Sequence, residues 1–499
     1  MGKKIVLFMI TIAVVWGLVA GIKNVKLEDE EVNNENELVN ITSEIYIDEL
    51  YLPLIELDSL NPLKTSNSQV ANILKLIYEP LVEYGSDEKL ENILLQEYAK
   101  IDSKTYILKL KQNILWHDNE KFNAEDVIFT FNTLKNNAYT YSANLSNIKE
   151  INKLDDYSIK IFLENNDDYF IGKLNFPIIP KHYFNNNLNN ESKDNKPIGT
   201  GAYKYSKVDA DENIILDFNT SWWKSSDAKL KKINLYKYAS YGEAIKAFKS
   251  AKVDMIVTNM SDWKNKFGTI GLNAYSFENS EYEVIIPNCN NLSLKENSVR
   301  RAILQAINRA NIINSIYEDN AAISDIPVHN NSRNSINNTE YNLEKAKQIL
   351  INASWEQNEN GWQKEINGKM QTLKFNLLVN KESEKKLQVA EKIKNDLNEL
   401  GIKIDIKSEY FVSEQIMKNS NLNYSNYNSD SMQKIIENMS LNEEKYDENI
   451  NSFVQLYKND APYIGLYFKT STILTNKSVK GNFEPTWSFY FRNITSFCK

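Results

Sequence analysis

The segment that most restricts the fold is "LKFNLLVNKESEKKLQVAEKIKNDLNELGIKIDI", from Leu373 to Ile406. Leu373–Val379 reads as a strand. Leu387, Ala390, Ile393, Leu397 and Leu400 then recur at three- and four-residue intervals, which places them on one face of an α-helix. Gly401 stands where a left-handed residue ends a helix, and Ile402, Ile404 and Ile406 alternate with the period of a strand. A strand, a helix and a strand joined this tightly form a right-handed crossover with parallel strands. The fold class expected is α/β, with mixed sheets.

Other segments fit the same class. In "SNSQVANILKLIYEPLVEY", Val70, Ile73, Leu74, Ile77 and Leu81 share one helical face, and Ser66 to Ser68 offer N-caps. Tyr106, Leu108 and Leu110 alternate as a half-buried strand. Asn123 with Asp126 has capping-box spacing ahead of Val127, Ile128, Phe131 and Leu134. "GEAIKAFKSAKVDMIVTN" is a short helix running into a strand. Val299, Ile303, Ile307, Ala310, Ile313 and Tyr317 predict one further helix. With 499 residues the chain exceeds what one core holds, so several lobes are expected.

The net charge of -8 excludes the basic face that nucleic acid requires. Lys3 and Lys4 precede an uncharged apolar run from Ile5 to Ile22. Its 18 residues fall between the ~7–15 of a cleaved signal and the ~20 of a spanning helix. Residues 1–22 are therefore a signal peptide or a membrane anchor, and 23–40 an acidic, disordered linker. Both alternatives put the protein outside the cytoplasm, attached to the cell surface or secreted. Cys289 and Cys498 are too few for a disulfide framework, and their spacing leaves open whether they pair.

Catalytic chemistry finds no motif. His117, His182 and His329 lie far apart and outside any zinc spacing, so no metal site is expected. Nucleophile elbows, Walker loops and dinucleotide fingerprints do not occur. "PIGTGAY" reads as a tight turn into a strand. "LWHDNEKFNAEDVIFTF" sets His117 and Asp118 beside Glu120 in the manner of a general-base pair or half a metal site. The capping box that follows marks the stretch as scaffold instead. No enzyme and no cofactor are expected.

Six ordered segments carry a resemblance. They are "LNPLKTSNSQVANILKLIYEPLVEY", "YILKLKQNILWHDNEKFNAEDVIFTF", "IIPKHYF", "KPIGTGAYKYSKVDADENIILDFNTSWWK", "AFKSAKVDM" and "SVRRAILQAINRANII". From about Leu60 onward the chain resembles extracellular solute-binding proteins of the oligopeptide/dipeptide/nickel class, the receptors of ABC importers. The resemblance implies a two-lobed clamp of the periplasmic-binding-protein type with an additional α/β lobe. Lobe I would comprise 41–83, 196–284 and a closing segment 470–499, the extra lobe 84–195, and lobe II 285–469. A peptide or another small polar solute would bind between the lobes, which close about a hinge, and ABC permease subunits would be the partner. A monomer, tied to the membrane through the N-terminal apolar segment, is implied.

Candidate ligand-binding residues follow from position. Asn61, Thr65, Ser66 and Asn67 follow the first strand, Tyr203 sits at a lobe edge, and Tyr282 lies near the crossing between lobes. The plainer readings are helix capping for Ser66 and Asn67 and packing for the tyrosines. Trp222 and Trp223 read as a surface-turn anchor, and Arg301 as half of a structural ion pair. In peptide-binding relatives a segment after the strand matching "GIKIDI" carries a Trp and an Asp that pairs with the ligand's ammonium group. That segment is missing here. Glu409 and Glu414 are the nearest substitutes, with solvated loop acids as the plainer reading. A receptor with altered or reduced peptide binding is the expectation. The alternative is a membrane-anchored sensing or interaction protein with the same fold and no transport role.

Overall fold

The computed structural model describes residues 47–185, 196–225, 227–330, 336–409 and 446–499. In β1 (Glu49–Ile55) Leu50, Leu52 and Leu54 are buried in alternation. Asn67 caps α1 (Ser68–Leu74) by accepting from the amides of Gln69 and Val70. The apolar pattern predicts a helix continuing towards Leu81, but α1 ends at Leu74. Pro80 disfavours helix at Glu79, and the Glu79 carboxylate is drawn inward by Thr200, Trp222 and Trp223.

β2 (Val82–Tyr84) and β3 (Leu90–Asn92) form a hairpin. An antiparallel sheet follows, made of β4 (Leu95–Asp102), β5 (Thr105–Leu110), β6 (Ile148–Asp155) and β7 (Ser158–Leu163) in the order β4-β5-β7-β6. The capping box of Asn123 and Asp126 starts α2 (Ala124–Lys135), which buries Val127, Phe131 and Leu134. The strands β8 (Tyr203–Val208), β9 (Ile214–Phe218) and β10 (Lys232–Tyr238) join β1 in the order β1-β10-β9-β8, with β1 parallel to β10. Then come α3 (Tyr241–Lys249), β11 (Met255–Thr258), α4 (Trp263–Phe267) and the long β12 (Leu272–Ile285).

The pattern from Val299 to Tyr317 predicts one helix, and the chain makes two. α5 (Asn297–Ala306) ends where Ile307 turns extended, and the Asn308 side chain caps α6 (Arg309–Tyr317) by accepting from the Asn311 amide. Of the adjacent arginines, Arg301 is exposed, while Arg300 is buried and donates to the carbonyls of Leu294, Lys295 and Ala461. Arg300, next to the arginine singled out in the sequence, is thus held in the core by main-chain carbonyls.

Next are β13 (Ala321–Ile323), α7 (Leu343–Asn352) and a meander of β14 (Glu356–Asn358), β15 (Gly361–Ile366) and β16 (Lys369–Thr372). The crossover read from the sequence is present. β17 (Lys374–Asn380) and β18 (Lys403–Glu409) are parallel, joined by α8 (Glu384–Leu400), which Gly401 ends at a φ of 93°. After α9 (Tyr446–Asp460), β19 (Ile464–Asn476) pairs with β11, β12 and β13.

The buried apolar residues gather into two main cores. One joins β1, α1 and β8–β10 to the β2–β7 region without interruption and includes Ile473, Val479, Phe491, Ile494 and Phe497. The other runs from Val299 to Ile404 and takes in Ile464, Leu466 and Tyr467. Within it Arg309 and Asp325 form an ion pair of 2.6 Å, at 2% and 1% side-chain exposure. Arg309 also donates to the Gly465 carbonyl, and Asp325 accepts from the Thr339 amide and hydroxyl. The architecture is an α/β clamp of two bodies, the first enlarged by an additional α/β lobe. Ile47 and Lys499 exchange main-chain hydrogen bonds of 2.7 and 3.0 Å, closing the first body.

Candidate functional site

β12 and β19 each begin in one core and end in the other. On β12, Tyr275 and Phe277 pack on the first core and Ile285 on the second. On β19, Tyr467 belongs to the second core and Ile473 to the first. Their ladder breaks between these points: Glu278 pairs with Thr470, and the next pair is Tyr282 with Phe468. Asn279, Ser280 and Glu281 therefore stand opposite Lys469 alone. An irregularity of this kind disrupts the ladder and adds local twist.

Side chains from both bodies converge on that break. The Tyr282 ring lies 4.7 Å from Phe468, and the His329 ring 4.3 Å from the same Phe468. His329 Nδ1 is 2.6 Å from Glu88 in the turn between β2 and β3, and its Nε2 is 3.1 Å from the Asn279 carbonyl oxygen. The Asn330 amide donates to Glu278 at 3.3 Å. Burial holds the Glu278 carboxyl above its ordinary range, against the opposing charge of His329 and the Asn330 hydrogen bond. Lys469 pairs with Glu281 at 2.6 Å and Glu283 at 3.6 Å, and Lys386 reaches Glu283 at 3.3 Å.

A second set of contacts ties the bodies together beside α4. Trp263 Nε1 donates to Asn320 at 2.8 Å, and Asn320 Nδ2 donates to the Ser261 carbonyl at 2.6 Å. Lys385 bonds the Ser261 hydroxyl, and Asn265 donates to Glu318 at 3.1 Å. On the first body, Phe277 packs on Tyr490 at 5.5 Å, and the Tyr490 amide donates to Asn72 of α1. Helix α1 thus reaches the crossing strand β12 through Tyr490.

The structure places each sequence candidate as follows. Asn61 accepts from the Leu63 amide. Thr65 is buried and donates to Asp58 at 2.6 Å, while the amides of Ser66 and Asn67 donate to the other Asp58 oxygen at 2.8 and 3.2 Å. Asn67 is the cap of α1. Asp58 organises this turn, and the polar groups of Thr65, Ser66 and Asn67 are engaged within it. Tyr203 is fully buried, with its hydroxyl donating to the Leu230 carbonyl. Tyr282 stands at the crossing and points its hydroxyl to the Ser324 carbonyl at 3.4 Å. Glu409 ends β18, paired in register with Asn380. Glu414, like the apolar run 5–22, lies outside the described residues. Among those described, no helix is long and apolar enough to cross a membrane, and no group of three or more His, Cys, Asp or Glu could hold a metal ion.

Sequence reasoning missed Glu88, Glu278, Asn279 and His329. Their juxtaposition depends on pairings such as Glu88 with His329, 241 residues apart, which no local pattern encodes. His117 is scaffold. Its Nδ1 accepts from the Gly199 amide at 3.3 Å and its Nε2 faces the Gly201 carbonyl at 2.9 Å. Burial first, with help from the Lys204 charge, lowers His117 from 6.5 to about 4. Trp222 and Trp223 are more than a surface anchor, since both indoles donate to the buried Glu79 carboxylate, at 3.3 and 2.7 Å. Cys289 and Cys498 are both buried and are not joined in a disulfide.

Comparison with known proteins places this architecture. A family model described as "Bacterial extracellular solute-binding proteins, family 5 Middle" matches residues 89–453. The oligopeptide-binding protein AppA of Bacillus subtilis is 22% identical, over 86% of this chain and 88% of its own. Its structure in complex with a nonapeptide aligns at a TM-score of 0.57 and 19% identity, covering 91% of this chain and 99% of that one. A nickel ABC transporter structure from Bacillus halodurans aligns at 0.74 and 19% identity, covering 89% and 98%. HbpA2 from Haemophilus parasuis aligns at 0.73 and 20%, covering 90% and 99%.

Proposed function

The chain belongs to the family 5 bacterial extracellular solute-binding proteins, and from that premise we propose that it is the receptor of an ABC importer. It takes a peptide or a related small polar solute between two lobes that close about β12 and β19, and hands it to permease subunits unchanged. The lobe division that goes with this reading is 41–83, 196–284 and 470–499 for lobe I, 84–195 for the extra lobe, and 285–469 for lobe II.

One observation carries the reading: both crossing strands pass from one core to the other through a broken stretch of ladder. Two separately packed bodies on a two-stranded ribbon rotate at low cost, because neither core is disturbed by the rotation. The side chains around the break are mixed in charge and aromatic, which suits a polar guest with some apolar surface.

The test is to purify the protein gently from its host and record its mass before and after denaturation, followed by a thermal-shift screen against a peptide library. A trapped small solute released unaltered, or stabilisation of about 2.7 kcal/mol by a ligand at 100 times its Kd, is the expected result. Conversion of the solute into a product overturns the reading.

A further inference from the structure

Both nitrogens of His329 face acceptors. Nδ1 meets the Glu88 carboxylate from the extra lobe, and Nε2 meets the Asn279 carbonyl on the crossing strand. A neutral imidazole has one N–H and serves one of these partners, while an imidazolium serves both. The form of the ring that satisfies both contacts therefore carries one proton more than the neutral ring. The side chains of His329 and Glu88 are 18% and 25% exposed, so the pair is only partly open to water in the joined state.

Other charges stand around the ring among the described residues. From β12, Glu278 faces it and accepts from the Asn330 amide, while Glu281 and Glu283 turn to Lys469. From β19 come the Phe468 ring and that same Lys469. In the β2–β3 turn Glu88 is flanked by Asp87 and Lys89, which pair with each other at 3.5 Å.

We propose that closure of the clamp is proton-linked: His329 takes up one proton as it meets Glu88 and the Asn279 carbonyl, so that acid favours the closed form and rising pH opens it. The proposal rests on the closure reading above. Burial alone lowers His329, but the Glu88 hydrogen bond and charge, the Asn279 carbonyl and the Glu278 charge outweigh it, and the ring stands above its ordinary value. A group raised in the closed form contributes to closure below its open-state value, about 6.5, and ceases to contribute as pH rises through the closed-state value.

The experiment measures lobe separation in the full chain by electron–electron double resonance. Labels go on Ile101→Cys in β4 and Met370→Cys in β16, at residues 55% and 62% exposed, with Cys289 and Cys498 replaced by Ala. From pH 8.5 to 5.5 the ratio of short to long separations should rise, by no more than about tenfold per pH unit, the limit for one proton. Glu88→Gln, whose amide can donate to a neutral ring, and His329→Lys, which stays charged throughout, should each keep both separations and lose the pH response. Variants that respond to pH as the parent does, or a parent that shows two separations and no response, overturn the proton link and leave the clamp standing. A single separation in every sample overturns the clamp reading and the link with it.

Discussion

His117 makes a sharp forecast about acid stability. Its ring is clamped between the amide of Gly199 and the carbonyl of Gly201, and those partners fix one tautomer: Nδ1 accepts and Nε2–H donates. Protonation of Nδ1 would set two N–H groups against each other in a half-buried site, and burial accordingly lowers the group from 6.5 to about 4. The unfolded chain takes up this proton near pH 6.5 and the folded chain does not. The stability contributed by neutral His117 is thus present above pH 6.5 and declines as pH falls towards 4. At 1.36 kcal/mol per unit, the fall from pH 7.5 to 5 costs about 2 kcal/mol. His117→Gln offers an acceptor and a donor that do not titrate in this range. It should cost about 1 kcal/mol at pH 7.5 and then lose about 2 kcal/mol less than the parent on going to pH 5. Urea denaturation at both pH values, with midpoints and slopes compared, measures this. Parallel loss in parent and variant would refute the buried neutral imidazole. His117→Leu strands the Gly199 amide and leaves the Gly201 carbonyl with the Asn219 Nδ2 contact at 3.4 Å, and should cost about 1–3 kcal/mol at either pH.

Three further outcomes are expected. Gly465→Ala places a Cβ 2.1 Å from the Tyr282 hydroxyl and 2.4 Å from the Asp325 carbonyl oxygen, so it should cost about 1–3 kcal/mol or more in thermal unfolding. Arg309→Met leaves the Asp325 carboxylate buried without its partner and should cost about 3–5 kcal/mol; Arg309→Met with Asp325→Leu should recover much of that in a double-mutant cycle. Asp58→Asn removes the charge that draws in the Thr65 hydroxyl and the amides of Ser66 and Asn67, and should lower stability by about 1–3 kcal/mol, read by chemical denaturation.

Local features of this fold were legible because their causes are local. The capping box of Asn123 and Asp126, the strand–helix–strand unit from Leu373 to Ile406 and the scaffold role of His117 each announce themselves within a few residues. Where the reading erred, a neighbouring residue overrode a periodic pattern. Pro80 cut short the helix that the spacing to Leu81 predicts, and Asn308 restarted a helix that the spacing to Tyr317 runs together. The seam was less legible. Tyr282 was found through its place near the crossing, whereas Glu88, Asn279 and His329 are unremarkable in sequence. Their relation arises from lobe packing, and the same holds for the tryptophans that fold in over Glu79.

The first body is finished by residues distant in the chain from those that begin it. The Asn72–Tyr490 hydrogen bond spans 418 positions, and Val479, Phe491, Ile494 and Phe497 share a core with Leu50. A ribosome must therefore have passed position 497 before that body can consolidate, and contacts of such long span form late. Until then the residues that open the first body, Leu50 and Leu52 among them, lack the partners that complete their core.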